Sequence, residues 1–275
     1  MRIACLLVAD LPLAAELRAH PELRGAPLAI ASGAGSRAEI LAISPEAARS
    51  GVRPFTTVVH GRAACAELCV RVASPALERA ARDALLDAAL STSPRAEAAP
   101  LHSGIYAAEA AVYIDARGIS SLFHSETGFA GALIARAEKL GLPAVVAIAS
   151  SRGVAHIAAR KCAGTPGATE VISPGDDAAF LAPLPIDLLN PEDELAESLT
   201  RFGIHRVQDL SRIPESALVT RLGCGARKLL TLARGKESDP PVPTPSRTHF
   251  EESVDLEAPV SHLEPLLFVL RGMIS

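Results

Sequence analysis

Several basic residues flank two glycines near residue 220. The segment therefore combines positive charge with a flexible backbone. Residues 217–236 contain no acidic side chain, and the basic ones are Arg221, Arg227, Lys228, Arg234 and Lys236. A glycine turn that opens a helix directs unpaired backbone N–H groups toward an anion, and such a turn can hold a DNA phosphate without reading bases. The residues predicted to make this contact are Arg221, Gly223, Gly225, Ala226, Arg227 and Lys228. The alternative is a solvated helix face.

The spacing of other potentially functional residues does not match a metal site, a phosphate-binding loop or a hydrolase motif. His102, His124 and His156 are far apart in the sequence and lack helical spacing, which argues against a metal site. The segment Ser-Gly-Ala-Gly-Ser at 32–36 lacks both the spacing and the lysine of a phosphate-binding loop. No Gly-x-Ser-x-Gly motif is present, so a hydrolase nucleophile is not predicted.

The cysteine pattern indicates the cellular compartment, and the net charge limits the partners that the protein can bind. Five cysteines, at positions 5, 65, 69, 162 and 224, include no Cys-x-x-Cys pair, which favours a reducing compartment and a cytoplasmic location. Cys65 and Cys69 are one turn apart in a helix predicted over 62–69, where both side chains would be buried on one face. The formal charge of −4 restricts any nucleic-acid contact to a local patch.

The composition is that of a folded globular protein. Of the 275 residues, 49% are hydrophobic and 21% are charged, which excludes disordered and fibrous classes. Apolar runs such as 3–9 and 144–149 are far shorter than the ~20 residues that cross a bilayer. The N-terminal residues enter a strand-sized run rather than a signal peptide, so we expect no membrane association.

Strands and helices alternate over residues 1–180, which predicts an α/β sandwich with a mixed sheet. Strands are predicted from apolar runs at 3–9, 27–31, 40–43, 111–115, 144–149 and 170–173. Helices are predicted at 13–23, 62–69, 75–90, 126–140 and 153–162. Ser44, Pro45 and Glu46 have the order of an N-cap, a first-turn proline and a first-turn acid, which predicts a short helix ending at Gly51.

The pattern becomes all-helical after Pro185. Short helices are predicted at 192–202, 206–213, 215–222 and 226–234. A proline-rich linker follows at 239–245. The last 30 residues, with a predicted strand at 249–260 and a helix at 263–274, are too few for an independent core.

Four motifs in this order resemble those of Y-family (translesion) DNA polymerases, and the likeness spans about residues 2–270. The motifs lie at 14–30, 48–53, 113–115 and 147–158. The resemblance implies an α/β (α+β) palm with a mixed sheet, small helical fingers and an all-α, helix-hairpin-helix-like thumb. Its domains would be palm at 1–32 and 100–183, fingers with a returning palm helix at 33–99, thumb at 184–238, and linker with the start of a little finger at 239–275.

The resemblance also implies that the catalytic groups are missing. The positions of the family's three metal-ligand carboxylates hold Leu7, Ala110 and Ala111, which offer no oxygen to Mg²⁺. The triphosphate-gripping Tyr and Arg of the fingers are replaced by Pro45 and Ala48. Pro12 stands where the family has the bulky side chain that excludes a ribose hydroxyl. We therefore expect no catalytic residue and no cofactor.

Three functions remain open from the sequence. The first is a non-catalytic scaffold in translesion synthesis, like the family's degenerate branch, whose partners are DNA, an active C-family polymerase, a RecA-like accessory protein and the sliding clamp. The second is an active polymerase whose Mg²⁺ is held by Asp10, Glu109 or Asp115, although the last two would lie ~20 Å apart on one strand. The third is a protein-interaction module without DNA affinity.

Overall fold

A computed structural model describes residues 1–99, 108–237, 240–243 and 263–273. Contacts divide the chain into two units, Met1–Pro243 and Thr244–Ser275. The strands are β1 (Ile3–Val8), β2 (Leu28–Ala31), β3 (Ile40–Ile43), β4 (Cys69–Val72), β5 (Ala96–Ala98), β6 (Ala110–Asp115), β7 (Val145–Ala149) and β8 (Thr169–Val171). The helices are α1 (Leu11–Ala19), α2 (Pro45–Arg49), α3 (Val58–Ala64), α4 (Pro75–Leu90), α5 (Ser120–Phe123), α6 (Glu126–Lys139), α7 (Arg152–Cys162), α8 (Asp177–Leu181), α9 (Asp193–Arg201), α10 (Val207–Ser211), α11 (Glu215–Leu222), α12 (Gly225–Ala233) and α13 (Leu263–Met273).

The larger sheet has five strands in the order β5-β6-β1-β7-β8. Its central strand β1 is antiparallel to both neighbours, and β7 and β8 are parallel, so the sheet is mixed as predicted. Alternate residues of β1 face two separate apolar clusters, one with α1, α4 and α6 and the other with α7 and α9–α12. This two-sided burial explains why β1 is a continuous apolar run.

The smaller sheet has the order β3-β2-β4. Its β2 pairs with β3 and β4 and not with the larger sheet, so the predicted palm boundary at residue 32 falls after a strand of the smaller sheet. Helices α2 and α3 pack on it through a cluster that includes Ala47 and Val58. The Ser44 hydroxyl accepts a hydrogen bond from Ala47 N at 3.3 Å, which confirms the predicted N-cap of α2.

One local prediction is wrong, and a short strand was missed. The helix expected over 62–69 lies earlier, as α3, and Cys69 instead begins strand β4. The residues 69–72 pair in parallel with β2, and this long-range pairing overrides the local helical spacing of Cys65 and Cys69. Strand β5 was not predicted, because its three residues are too few to show a period.

The four helices after Pro185 form a module, α9–α12, whose apolar faces join the cluster on one side of the larger sheet. Arg234 at the end of α12 donates to the carbonyls of Ser211 and Ile213, which fixes α12 to the end of α10. Glu237 Oε2 accepts from Gly153 N at 2.7 Å, so the segment after the module caps the N-terminus of α7.

The second unit is described only by α13, which confirms the helix predicted at 263–274. The strand predicted at 249–260 lies outside the described residues. Among the described helices, none is both long and apolar enough to cross a membrane.

Candidate functional site

Leu7 and Ala111 are direct neighbours at the centre of the larger sheet. Leu7 pairs with Ala111 on β6 and with Val145 on β7. The exposed fraction is 1% for Leu7 and 7% for Ala111, and both belong to the cluster under α7. Ala110 is equally buried but faces the opposite cluster. The structure thus brings together two of the three positions singled out by the sequence, in an apolar environment.

Glu109 lies beside this pair and is held by a buried polar network. Arg160 Nε donates to Glu109 Oε2 at 3.0 Å, and His156 Nε2 lies 2.8 Å from Glu109 Oε1. The Tyr113 hydroxyl is 2.6 Å from His156 Nδ1. A neutral imidazole satisfies both contacts, with Nε2–H donating to Glu109 and Nδ1 accepting from Tyr113. The network joins β6 to α7.

The pKa values of this network follow from burial and charge. Burial alone would raise the pKa of Glu109, but hydrogen bonds from His156 and Arg160 lower it to about 2. Burial lowers the pKa of His156, which keeps the imidazole neutral, and burial raises the pKa of the Tyr113 hydroxyl. Glu109 is therefore a structural anion whose oxygens are already occupied by hydrogen-bond donors.

The other two acids considered as metal ligands lie elsewhere. Asp115 is at the opposite end of β6, where it pairs with Arg117 at 2.6 Å and with Arg95 at 3.2 Å. Hydrogen bonds from Arg117 lower the pKa of Asp115 to about 2. Asp10 precedes α1, and burial raises its pKa. Within the described ranges, no group of three or more His, Cys, Asp or Glu side chains is arranged to hold a metal ion.

A cleft of about 560 Å³ separates the smaller sheet from the start of α1 and α4. Its walls are mostly apolar and its charged lining groups are two carboxylates; the lining residues are Ala9, Asp10, Pro12, Leu41, Ala42, Ile43, Pro54, Phe55, Glu78 and Ala108. Sequence reasoning identified Asp10 and Pro12 but missed Phe55, which no motif contains.

The structure places the predicted DNA contacts on one exposed turn between α11 and α12, which we call the basic turn, residues 221–228. Gly223 ends α11 with a φ of 77°, a conformation that favours glycine, and Gly225 begins α12. The turn is exposed except for Leu222, which is half-buried, and Ala226, which is buried. Arg227 forms an ion pair with Glu215 at 2.8 Å, so part of its charge is compensated. Arg234 is not part of the turn, because its guanidinium binds backbone carbonyls.

Lys228 borders a second cavity, of about 400 Å³, next to the basic turn. Cys224 and Gly225 line it from the turn, and Glu192 and Glu237 line it from neighbouring segments. One acidic residue that precedes the module, Glu192, and one that follows it, Glu237, therefore lie close to the basic turn.

The larger mixed sheet, the smaller sheet and the helical module together define the fold of a Y-family DNA polymerase. The structure described as the insertion ternary complex of Dbh DNA polymerase matches with a TM-score of 0.72 and 21% identity, over 87% of this chain and 69% of that one. The crystal structure of DinB from Sulfolobus solfataricus matches with a TM-score of 0.65 and 22% identity, over 88% of this chain and 69% of that one. These identities establish a shared fold.

The chain belongs to the impB/mucB/samB family, which matches residues 10–160. It is 31% identical to Protein ImuB of Caulobacter vibrioides over 189 residues, 69% of this chain and 39% of ImuB. It is also 29% identical to DNA polymerase IV of Pseudomonas syringae over 272 residues, 94% of this chain and 73% of the polymerase. The chain thus spans about two fifths of the length of the ImuB relatives it matches.

Proposed function

We propose that this protein is a non-catalytic, polymerase-like scaffold that binds DNA during translesion synthesis in the DNA damage response. The observation that carries the proposal is the in-register pair of Leu7 and Ala111, buried in a hydrocarbon cluster where phosphoryl transfer needs carboxylates. The likeness to ImuB supports it.

The surroundings of this pair also argue against a replacement site. Glu109 is neutralised by Arg160 and is hydrogen-bonded to His156, so a cation there would have to displace a buried ion pair. Asp115 is at the far end of β6 and has its own arginine partners. Among the described residues, Asp10 belongs to no group of three or more His, Cys, Asp or Glu side chains that could hold a metal ion.

In this proposal the five-stranded sheet is the palm, α9–α12 are the thumb, and the smaller sheet belongs to the fingers. The fingers then begin with β2 rather than at residue 33, because β2 has its partners in the smaller sheet. The linker and the start of a little finger occupy 239–275.

DNA binding is assigned to the basic turn. The first N–H groups of α12, at Gly225 and Ala226, have no carbonyl four residues earlier within the helix to accept from them. Arg221, Arg227 and Lys228 supply counter-charge for a phosphate. Two to four such contacts give a log–log salt slope of about −2 to −4.

The proposed partner proteins are inferred from the resemblance to the degenerate branch of the family. An active C-family polymerase, a RecA-like accessory protein and the sliding clamp are the proposed partners, and the clamp contact is assigned to no residue of this chain. A cytoplasmic location agrees with these partners.

Two measurements test the proposal. Primer extension with Mg²⁺ or Mn²⁺ should show no incorporation, and DNA binding across a salt series should give the stated slope. Replacing Arg227 and Lys228 with Ala should flatten that slope by about one to two units. A slope that does not change would place the DNA contact elsewhere.

The second candidate function is an active Y-family polymerase with a displaced Mg²⁺ site. The similarity to DNA polymerase IV over 94% of the chain favours it. Incorporation that depends on Asp115, and is lost in Asp115→Ala, would establish this alternative and overturn the scaffold.

A further inference from the structure

Arg227, one of the basic side chains assigned to DNA, is already bound to a carboxylate of this chain. Its Nε lies 2.8 Å from Oε1 of Glu215, and the pair joins the first residue of α11 to the first turn of α12. The side chains of Arg227 and Glu215 are 59% and 50% exposed, so a ligand can reach the pair. A guanidinium binds carboxylates and phosphates through the same N–H groups. Glu215 therefore occupies donors that a DNA phosphate would use.

Two further carboxylates lie near the next basic residue of the turn, Lys228. Glu192 and Glu237 line the same cavity as Lys228. Glu237 is fixed there, because its Oε2 accepts a hydrogen bond from Gly153 N at 2.7 Å. Charges are screened over a Debye length of ~10 Å at about 0.1 M salt, so carboxylates that border one cavity with Lys228 oppose its attraction for a phosphate. The negative charge around the basic turn thus comes from several segments of the chain.

The exposure of the Arg227–Glu215 pair decides how strongly it opposes DNA binding. An ion pair in contact with water gains little net free energy, because water screens the attraction and two long side chains lose freedom. A phosphate can therefore displace Glu215 from Arg227. The displacement weakens the DNA contact and does not abolish it.

We propose that Glu215 is an intramolecular competitor of the DNA phosphate, which holds Arg227 in the free protein and releases it when the basic turn binds DNA. The proposal rests on the DNA contact assigned to the basic turn, and it adds the regulation of that contact. Because the carboxylate can return to Arg227, DNA dissociates more readily from the turn than from an uncompensated arginine.

The test measures the affinity of the full chain for a fluorescently labelled primer–template duplex across a salt series. Glu215→Gln removes the negative charge with little change of shape, so it should bind about 1.5- to 5-fold more tightly than wild type at low salt. Its log–log salt slope should become steeper by up to about 0.9, because the freed Arg227 makes a full phosphate contact.

Glu46→Gln is the matched control for the loss of one negative charge. Glu46 also lies in the first turn of a helix and pairs with an arginine, Arg49, at 2.8 Å, but the pair is on α2. Any cost to the helix should therefore be similar in the two variants. Glu46→Gln should bind the duplex as wild type does.

The Arg227→Ala background shows whether the effect acts through Arg227. In that background Glu215→Gln should no longer change the affinity, because the two substitutions remove the same interaction. Wild-type affinity in Glu215→Gln, an equal gain in Glu46→Gln, or a gain that persists without Arg227 would each overturn the proposal.

The same measurements separate this proposal from the proposed function. Duplex binding by wild type with no gain in Glu215→Gln would refute only the competition by Glu215. Absence of duplex binding in both proteins would refute the DNA contact of the basic turn and the competition together. Binding by Glu215→Gln alone would support the competition.

Discussion

Glu109 illustrates how a carboxylate beside the sheet centre can have both oxygens occupied by hydrogen-bond donors. It is buried, and its oxygens accept hydrogen bonds from Arg160 and His156 on α7. The Tyr113 hydroxyl completes the network from the same strand. Such a network stabilises the fold only while every partner is present.

Glu109→Gln should lower the free energy of unfolding by about 3–5 kcal/mol, because it breaks the buried ion pair between Glu109 and Arg160. Asp115→Asn is the matched control: Asp115 has a similarly low pKa, but its partners Arg95 and Arg117 are 65% and 58% exposed, so its loss should cost about 1 kcal/mol or less. Urea unfolding measures both. A larger loss for Asp115→Asn would contradict the structural role of Glu109.

The stability of the protein should decrease as the pH falls below about 6.5. Burial lowers the pKa of His156 from 6.5, so the unfolded chain binds a proton that the folded chain does not, and stability therefore rises with pH through this window. Glu109 adds a further loss only below its unfolded pKa of 4.5, toward 2. Urea midpoints between pH 5 and 7.5 should show a smaller slope in His156→Gln, and an equal slope would refute this assignment.

Among the elements, the junction of α11 and α12 depends most clearly on backbone conformation. Gly223 needs a positive φ, whereas Gly225 has ordinary helical geometry, and neither has an atom within 4 Å of an added Cβ. The two glycines thus differ in backbone conformation, whereas both have room for an added Cβ atom.

Gly223→Ala should therefore cost about 1 kcal/mol of stability and weaken DNA binding, because an L-residue with positive φ distorts the turn. Gly225→Ala should leave both properties near the wild-type values. Thermal unfolding and a gel shift on primer–template DNA test the pair. Equal DNA affinity in the two variants would show that the turn's conformation does not matter for binding.

Across the whole molecule, the positions that the resemblance predicts to differ from an active polymerase lie on separate parts of the fold. Leu7 and Ala111 are in the larger sheet, Pro12 is in α1, and Pro45 and Ala48 are in α2. Substitutions that restore the polymerase residues in one of these elements therefore leave the other elements unchanged.

The triple variant Leu7→Asp, Ala110→Asp, Ala111→Glu should therefore remain inactive in primer extension. Its Tm should fall, because carboxylates would enter apolar clusters on both faces of the sheet without partners. Circular dichroism establishes whether the variant is folded before the assay. Nucleotide incorporation by a folded triple variant would contradict this prediction, because it would show that the metal ligands are the only catalytic groups that the protein lacks.

Most elements were predictable, because their signals are local. The apolar runs of β1 and β7, the N-cap Ser44, and the four short helices after Pro185 are all found near their predicted bounds. Among the elements that were missed, β4 and β5 are short edge strands that exist because of their pairing partners. Their own residues carry too little periodicity to indicate them.

The sequence by itself determined that hydrocarbon side chains stand at positions 7, 110 and 111 and that basic residues flank Gly223 and Gly225, since residue type and spacing are local information. The tertiary structure alone decided that Leu7 faces Ala111, that Arg160 reaches Glu109 across 51 residues, and that Phe55 borders the cleft. These contacts depend on strand register and helix packing, which arise from the burial of apolar faces far apart in the chain.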